Sequence, residues 1–76
     1  MQLPMVNMYR TGQNILALRR QHGLSVRQLQ ALLGFSTPQA IYKWQHGDSL
    51  PTVDNLVALA AIFSVPLDAI LAIEAA

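Results

Sequence analysis

The sequence contains no cysteine, so neither a disulfide nor a thiolate metal site can hold the fold together. No apolar run approaches the roughly 18 residues that a membrane span needs. The first ten residues also lack the basic segment and apolar run of a secretory signal. With 76 residues, 53% of them hydrophobic, we expect one small cytoplasmic domain, outside the membrane, whose core is stabilised by packing alone.

Charged residues are scarce, at 12% of the chain with a net charge of +1, but they are unevenly distributed. Every basic residue lies before residue 44 and every acidic residue lies after residue 47, namely Arg10, Arg19, Arg20, Arg27 and Lys43 against Asp48, Asp54, Asp68 and Glu74. A polyanionic partner would therefore meet the N-terminal half. The alternative is a chance partition of nine charges.

Groups suited to catalysis are few and scattered. His22 and His46 have no acidic residue at metal-ligand spacing, and the glycines form no phosphate-cradling loop. Four hydroxyls, those of Thr11, Ser25, Thr37 and Thr52, are explained as helix caps. We therefore expect no enzyme activity, no catalytic residue, no metal site and no cofactor.

Apolar residues recur at helical spacing almost throughout, and no stretch alternates with a period of two. Capping signals, such as the capping box that begins at Ser25, divide this pattern into helices. The expected fold is a compact all-α domain over residues 11–76, preceded by a flexible or loosely docked arm over residues 1–10. The pattern predicts five helices, at about residues 11–22, 25–33, 37–46, 52–63 and 66–73. The expected core comprises Leu18, Leu29, Leu33, Ile41, Trp44, Leu56, Leu59 and Phe63.

The third of these helices has two chemically different sides. Ile41 and Trp44 are three residues apart and should point inward, which leaves Gln39, Tyr42 and Lys43 on the outward side. Glutamine can pair with adenine and lysine can donate to guanine in the DNA major groove. The alternative is an ordinary solvated helix face, which commonly carries glutamine and lysine.

From residue 13 to residue 71 the chain resembles the lambda-repressor-like, Xre-type helix-turn-helix family of DNA-binding regulators. The matching stretches occur in the family's order and spacing, and they are ILALR (15–19), GLS (23–25), LGFS (33–36), QAIYKWQHG (39–47), LPTVDNL (50–56) and VPLDAIL (65–71).

The resemblance implies a sequence-specific regulator of transcription that binds double-stranded DNA, with the third helix in the major groove. Carried over residue by residue, the base-contacting positions are Thr37, Gln39, Tyr42 and Lys43. The phosphate-contacting positions are Arg20, Arg27, Ser49 and Thr52, and the resemblance also implies a contribution from the charge of Lys43 on the third helix.

Three departures from the family pattern affect this transfer. Val26 stands where the family commonly has a phosphate-gripping glutamine, although its backbone N–H could still bind phosphate. The turn at residues 36–38 is one residue longer than usual, and Pro38 cannot serve as a polar base reader. Gln45 replaces a common glutamate, so the resemblance implies a neutral hydrogen bond with Arg19 where relatives have a salt bridge.

A domain of this size offers few base contacts, so we expect a homodimer on a pseudo-palindromic site. The C-terminal helix with its trailing residues Ala72, Ile73, Ala75 and Ala76 is the expected dimer surface, and a frayed helix end is the alternative. A rival function is an antitoxin-like or adaptor module whose partner would be a toxin or a co-regulator. Double-stranded DNA binding and partner binding could also occur together.

Overall fold

The computed structural model describes residues 2–75 and shows four α-helices joined by short turns, with a two-stranded sheet formed by the two ends of the chain. In chain order the elements are β1 (Pro4–Val6), α1 (Met8–Gln21), α2 (Val26–Leu33), α3 (Gln39–His46), α4 (Val53–Phe63), a 3-10 turn (Leu67–Ala69) and β2 (Ile73–Ala75).

Side-chain caps fix the starts of three helices. The Asn7 side chain accepts from the Arg10 N–H and begins α1. Ser25 and Gln28 form the capping box of α2, which confirms that prediction. Thr52 caps α4 by accepting from the Asn55 N–H at 3.2 Å.

The N-terminal segment corrects the predicted flexible arm over residues 1–10. Residues 4–6 are a strand and α1 begins at Met8, so the predicted helix start at Thr11 is also wrong. Thr11 is instead fully buried, and its hydroxyl accepts from the Ala72 N–H at 3.0 Å. The prediction failed because Asn7 offers an earlier cap and because the strand partner lies at the other end of the chain. Residue 1 of the predicted arm and Ala76 of the predicted dimer surface lie outside the described residues.

The predicted fifth helix at 66–73 is also wrong, because the chain makes only a 3-10 turn there and then becomes strand β2. The Asn14 side chain donates to the Ile70 carbonyl at 3.0 Å, and Thr11 takes the Ala72 N–H. These bonds to α1 occupy backbone groups that a continuing helix would use. The expectation of an all-α five-helix fold is therefore replaced by four α-helices and a small antiparallel sheet.

Helix α3 also begins later than predicted. Its first residue is Gln39, Pro38 occupies the cap position, and no side chain caps this helix. The predicted capping role of Thr37 is therefore wrong. The N-terminal bounds of α2 and α4 lie one residue inside the predicted ones, since Ser25 and Thr52 are caps.

One apolar core joins all four helices. Six of the eight residues expected there are buried, namely Leu29, Ile41, Trp44, Leu56, Leu59 and Phe63. The other two, Leu18 and Leu33, are partly buried and pack against this cluster. Ile15 and Ile70 complete the buried set. In residues 2–75, no helix combines the length and apolar character needed to cross a bilayer.

Candidate nucleic-acid interface

The candidate interface is built on the outer side of α3. Ile41 is completely buried and Trp44 nearly so, which fixes the orientation of the helix about its axis. Gln39 and Lys43 are exposed one turn apart, and Tyr42 is 45% exposed between them. The structure therefore places these three predicted base-contacting side chains together on one solvent-facing surface.

The inner side of α3 lies unusually close to α1. A Cβ on Gly12 would collide with the carbonyl oxygen of Trp44, so only glycine permits this approach. On its other side the Trp44 ring packs edge-on against Phe35, with ring centroids 5.8 Å apart. Trp44 thus anchors α3 in two ways, because its backbone carbonyl group packs against α1 and its ring packs against Phe35.

Hydrogen bonds between α1 and the end of α3 add to this packing. Arg19 Nε donates to Gln45 Oε1 at 3.0 Å, and Arg19 Nη1 donates to the Leu24 carbonyl at 2.8 Å. The predicted neutral hydrogen bond between Arg19 and Gln45 is confirmed. Gln45 is only 7% exposed, so this glutamine belongs to the inner side of α3 and orients the helix.

The C-terminal end of α3 is closed tightly before the chain turns towards α4. Gly47 has φ of 79°, and a Cβ there would lie 2.9 Å from the Cα of Tyr9. The next N–H, that of Asp48, returns to the Lys43 carbonyl at 2.9 Å. This left-handed glycine cap ends α3 just before the connector that carries Ser49 and Thr52.

The turn before α3 contributes a second part of the surface. Thr37 is exposed, and an open depression of about 450 Å³ connects it with the first turn of α4. Asn55, one helical turn after the Thr52 cap, lines this depression together with Ser36. Neither of these two residues was predicted to be functional, although the position of Asn55 in the first turn of α4 was visible in the sequence.

The predicted phosphate-contacting residues lie in α1, in α2 and in the connector before α4. Arg20 lies exposed in the last turn of α1, and Arg27 lies exposed in the first turn of α2. Ser49 is half-buried in the connector, and the Thr52 side chain already caps α4. Their contacts with phosphate stay predictions. Within residues 2–75, no three His, Asp or Glu side chains are grouped so that they could hold a metal ion.

Residues 15–70 match the family described as helix-turn-helix, which accounts for most of the chain. The chain belongs to the helix-turn-helix family. The resemblance to its lambda-repressor-like, Xre-type members is thereby confirmed. No curated protein sequence matches this helix-turn-helix chain significantly.

Solved structures share the architecture of this helix-turn-helix domain. It is similar to the BldD DNA-binding domain from S. venezulae, with 25% identity, a TM-score of 0.73, and coverage of 87% of this chain and 97% of that one. It is also similar to the restriction-modification controller protein C.AhdI from Aeromonas hydrophila, with 22% identity, a TM-score of 0.74, and coverage of 83% and 94%.

A third similar structure, that of apo-HppE, is 20% identical with a TM-score of 0.76 and coverage of 90% of this chain. Only 37% of the HppE chain is covered, so there the fold is one part of a longer chain. At these low identities, C.AhdI and HppE show the fold alone. Family membership and the BldD domain support DNA-binding regulation of transcription as the functional class.

Proposed function

We propose that this helix-turn-helix protein is a sequence-specific regulator of transcription that inserts α3 into the major groove of double-stranded DNA. The observation that carries the proposal is the outer face of α3, where Gln39, Tyr42 and Lys43 are exposed on a helix fixed by buried Ile41 and Trp44. A rigid helix with exposed hydrogen-bonding side chains one turn apart suits direct reading of base edges. Similarity to a structure described as a DNA-binding domain supports the same class.

Each side chain on this face has a distinct chemical role in the proposal. Gln39 pairs with N6 and N7 of adenine, and Lys43 donates to O6 and N7 of guanine. Tyr42 contacts a thymine methyl group or a phosphate. Thr37, which does not cap α3, keeps its hydroxyl available for a contact at the helix start.

Phosphate contacts position the domain on the duplex without reading its sequence. Arg20 and Arg27 supply positive charge, and Ser49 and Thr52 supply hydroxyls near the start of α4. The N-terminus of α2 adds a further contribution, because the Ser25 side chain accepts from the Gln28 N–H and leaves the Val26 N–H available.

The proposed functional unit on DNA is a homodimer on a pseudo-palindromic site. One copy presents three side chains on α3 and one at the preceding turn, which is a small number of base contacts for specific recognition. A two-fold dimer doubles them and places the two copies of α3 about one helical turn of DNA apart, at roughly 34 Å.

The proposal is tested by selecting bound sequences from a random DNA pool and measuring shifts on the selected sites. The natural chain should enrich a site with two-fold symmetry. Gln39→Ala combined with Lys43→Ala should abolish the sequence preference while leaving weak non-specific binding, because the phosphate contacts remain. Gln21→Ala, an exposed glutamine on α1, is the matched control and should leave the preference unchanged.

The rival function is an adaptor or antitoxin-like module on the same fold. Val26 and Pro38 favour this rival function, because each stands at a position where the family has a polar DNA-contacting residue. If the natural chain binds random and selected DNA equally weakly, the rival is preferred, and the search moves to a protein partner.

A further inference from the structure

The open depression between the start of α3 and the first turn of α4 is only partly explained by the proposed function. Its volume is about 450 Å³, and its lining includes Ser36, Thr37, Ala40 and Asn55. The proposed function uses Thr37 alone among these residues. Ser36 and Asn55 therefore place polar side chains around the depression without an assigned ligand.

The depression adjoins the outer face of α3 on the side of Lys43. Residues three apart on a helix are surface neighbours, so Lys43 lies beside Ala40, whose small side chain lines the depression. Successive helical residues are about 100° apart around the axis. Ala40 consequently lies between the exposed Lys43 and the buried Trp44, and the depression occupies one flank of α3.

The flanks of a helix in the major groove lie against the DNA backbone. The groove is about 12 Å wide, and a helix with its side chains is about 10–12 Å across. A helix that fills the groove therefore has one phosphate-bearing strand on each side. With α3 in the groove, the strand on the Lys43 side would run along the depression.

The polar side chains around the depression are available to a ligand. Within residues 2–75, the Ser36 hydroxyl and the Asn55 side-chain amide make no hydrogen bond, and only the Asn55 backbone N–H is engaged, by Thr52 at 3.2 Å. Hydroxyl and amide side chains are ordinary donors to the phosphate oxygens of DNA. The chemistry of the lining thus suits a phosphate group.

The charges nearby also permit a phosphate. No charged residue lines the depression itself. Asp54 precedes Asn55 in α4, but it is exposed and about 100° further round the helix axis, on the solvent side. Lys43 supplies positive charge on the flank of α3 that adjoins the depression.

Both walls of the depression are held in place by the fold. Gln30 Nε2 donates to the Phe35 carbonyl at 3.2 Å, and the Phe35 N–H donates to the Gln30 carbonyl at 3.0 Å. The Phe35 ring also packs against Trp44. On the opposite wall, Thr52 caps the start of α4. Groups that are already fixed lose little conformational freedom on binding.

We propose that the depression is a subsite for the DNA backbone, in which the Asn55 amide and the Ser36 hydroxyl donate to the oxygens of one phosphodiester group beside α3. The subsite rests on the proposed function for the placement of the duplex. Its contacts add affinity for any sequence, because phosphates carry no sequence information. Since both donors are neutral, they leave the salt dependence set by the basic residues unchanged.

The first experiment replaces Asn55 by aspartate, which has nearly the same shape but carries a negative charge. Asn55→Asp should weaken binding to the selected DNA site at least about tenfold, because like charges brought together across an interface are strongly unfavourable. Ala61→Asp is the matched control, since it adds the same charge to an exposed position roughly 9 Å further along α4 on the solvent side. It should weaken binding by no more than about threefold, because salt screens charges at that distance. Equal losses would overturn the proposal.

Thermal unfolding of Asn55→Asp separates binding from folding. Position 55 lies in the first turn of α4, where a carboxylate interacts favourably with the helix dipole. The unfolding midpoint should therefore equal or exceed that of the natural chain while DNA affinity falls. A lowered midpoint that accounts for the lost affinity would show a purely structural role for Asn55 and overturn the proposal.

The second experiment identifies the contacted phosphate. Asn55→Ala should weaken binding to selected and random DNA by the same factor, roughly threefold to tenfold, with an unchanged salt slope. Each phosphate of the selected site is then replaced in turn by an uncharged methylphosphonate. At one position per half-site, the replacement should weaken binding of the natural chain but have little further effect on Asn55→Ala, because that contact is already absent. Ser36→Ala should show the same non-additivity at the same phosphate.

Additive effects at every phosphate would overturn the proposal, and so would a loss confined to the selected sequence, which would make Asn55 a base reader. Free inorganic phosphate offers the same chemistry without a duplex. Millimolar inorganic phosphate should leave the NMR signal of the Asn55 side-chain amide unchanged. Saturation of this signal by inorganic phosphate, without an effect of Asn55→Asp on DNA binding, would reject the DNA backbone as the ligand.

The results also distinguish the subsite from the proposed function. If the natural chain selects a DNA site and both Asn55 variants bind it equally well, the subsite is rejected and the function stands. If no sequence is selected but Asn55→Asp weakens binding to random DNA far more than Ala61→Asp does, the sequence-specific function is rejected and the subsite stands. A natural chain that binds no DNA rejects both.

Discussion

Gly12 lies where α1 packs against α3, with the carbonyl oxygen of Trp44 in the space that a Cβ would occupy. In an ordinary helix interior, replacement of glycine by alanine stabilises by about 1 kcal/mol. Here the added methyl group meets backbone atoms that cannot rotate away. The two effects oppose one another. The destabilisation caused by the collision is larger than the gain in helix propensity, because the collision involves the main chain of both helices.

We expect Gly12→Ala to lower the free energy of unfolding by about 1–3 kcal/mol, since overpacking forces the two helices apart. Urea unfolding followed by circular dichroism measures this change. A stabilised variant would show that α1 and α3 are further apart than described. DNA affinity should also fall, because α3 would shift relative to the rest of the surface.

Arg19 uses two donors of its guanidinium group to join three parts of the chain. One donor binds the Gln45 side chain and the other binds the Leu24 carbonyl. Gln45 is buried, so removal of Arg19 would leave its side-chain oxygen without this donor in an interior that water reaches poorly.

We therefore expect Arg19→Ala to destabilise the domain by about 1–3 kcal/mol, the cost of an unsatisfied buried polar group. Arg20→Ala is the matched control, because this neighbouring arginine is exposed, and it should change stability by no more than about 0.5 kcal/mol. Equal effects in denaturant unfolding would contradict the assigned role. Arg19→Lys should recover little, since lysine lacks the fixed fork of donors.

The helix starts show how similar residues act differently in different elements. Ser25 caps α2 through a reciprocal capping box with Gln28. Thr37 stands before α3 in a sequence that looks equally suitable, but Pro38 takes the cap position and no side chain caps that helix. The Ser25 hydroxyl thus has a structural role as a helix cap, whereas the Thr37 hydroxyl has a proposed DNA-contacting role.

We expect Ser25→Ala to cost about 1 kcal/mol of stability through the lost cap. Thr37→Ala should leave the unfolding midpoint nearly unchanged but weaken binding to the selected DNA site. Thermal unfolding and DNA titration of both variants measure the two properties separately. Loss of stability in Thr37→Ala would show that its hydroxyl supports the turn.

Across the whole molecule, the basic residues set an upper limit on phosphate neutralisation. Four of the five basic side chains are exposed, namely Arg10, Arg20, Arg27 and Lys43. The fifth, Arg19, is committed to Gln45 and Leu24. The acidic residues, confined to the C-terminal half, keep the net charge at only +1.

We therefore expect DNA affinity to depend only moderately on salt, with a log–log slope of at most about 4 per monomer and about 7 per dimer. Arg27→Ala should reduce the slope by about 1 per copy if it contacts a phosphate. Titrations between low and moderate salt measure the slope. A value near 10 per dimer would require cationic groups that the chain does not have.

Local signals predicted much of the fold and of the proposed interface. The capping box at Ser25, the glycine stop at Gly47 and the spacing of Ile41 and Trp44 each depend on neighbours within one or two helical turns. Such interactions leave a periodic pattern in the sequence. The exposure of Gln39, Tyr42 and Lys43 follows from the same pattern, because burial of one side of a helix exposes the other.

The sequence by itself determined the helical core, the two faces of α3 and the segregation of charge. Only the tertiary structure decided how the chain ends. Strands β1 and β2 are about 70 residues apart in sequence, and each is too short and too exposed to carry a periodic signal of its own. Their pairing, and the bond from Ala72 to Thr11 that replaces a fifth helix, exist because folding of the helices brings the two ends of the chain together.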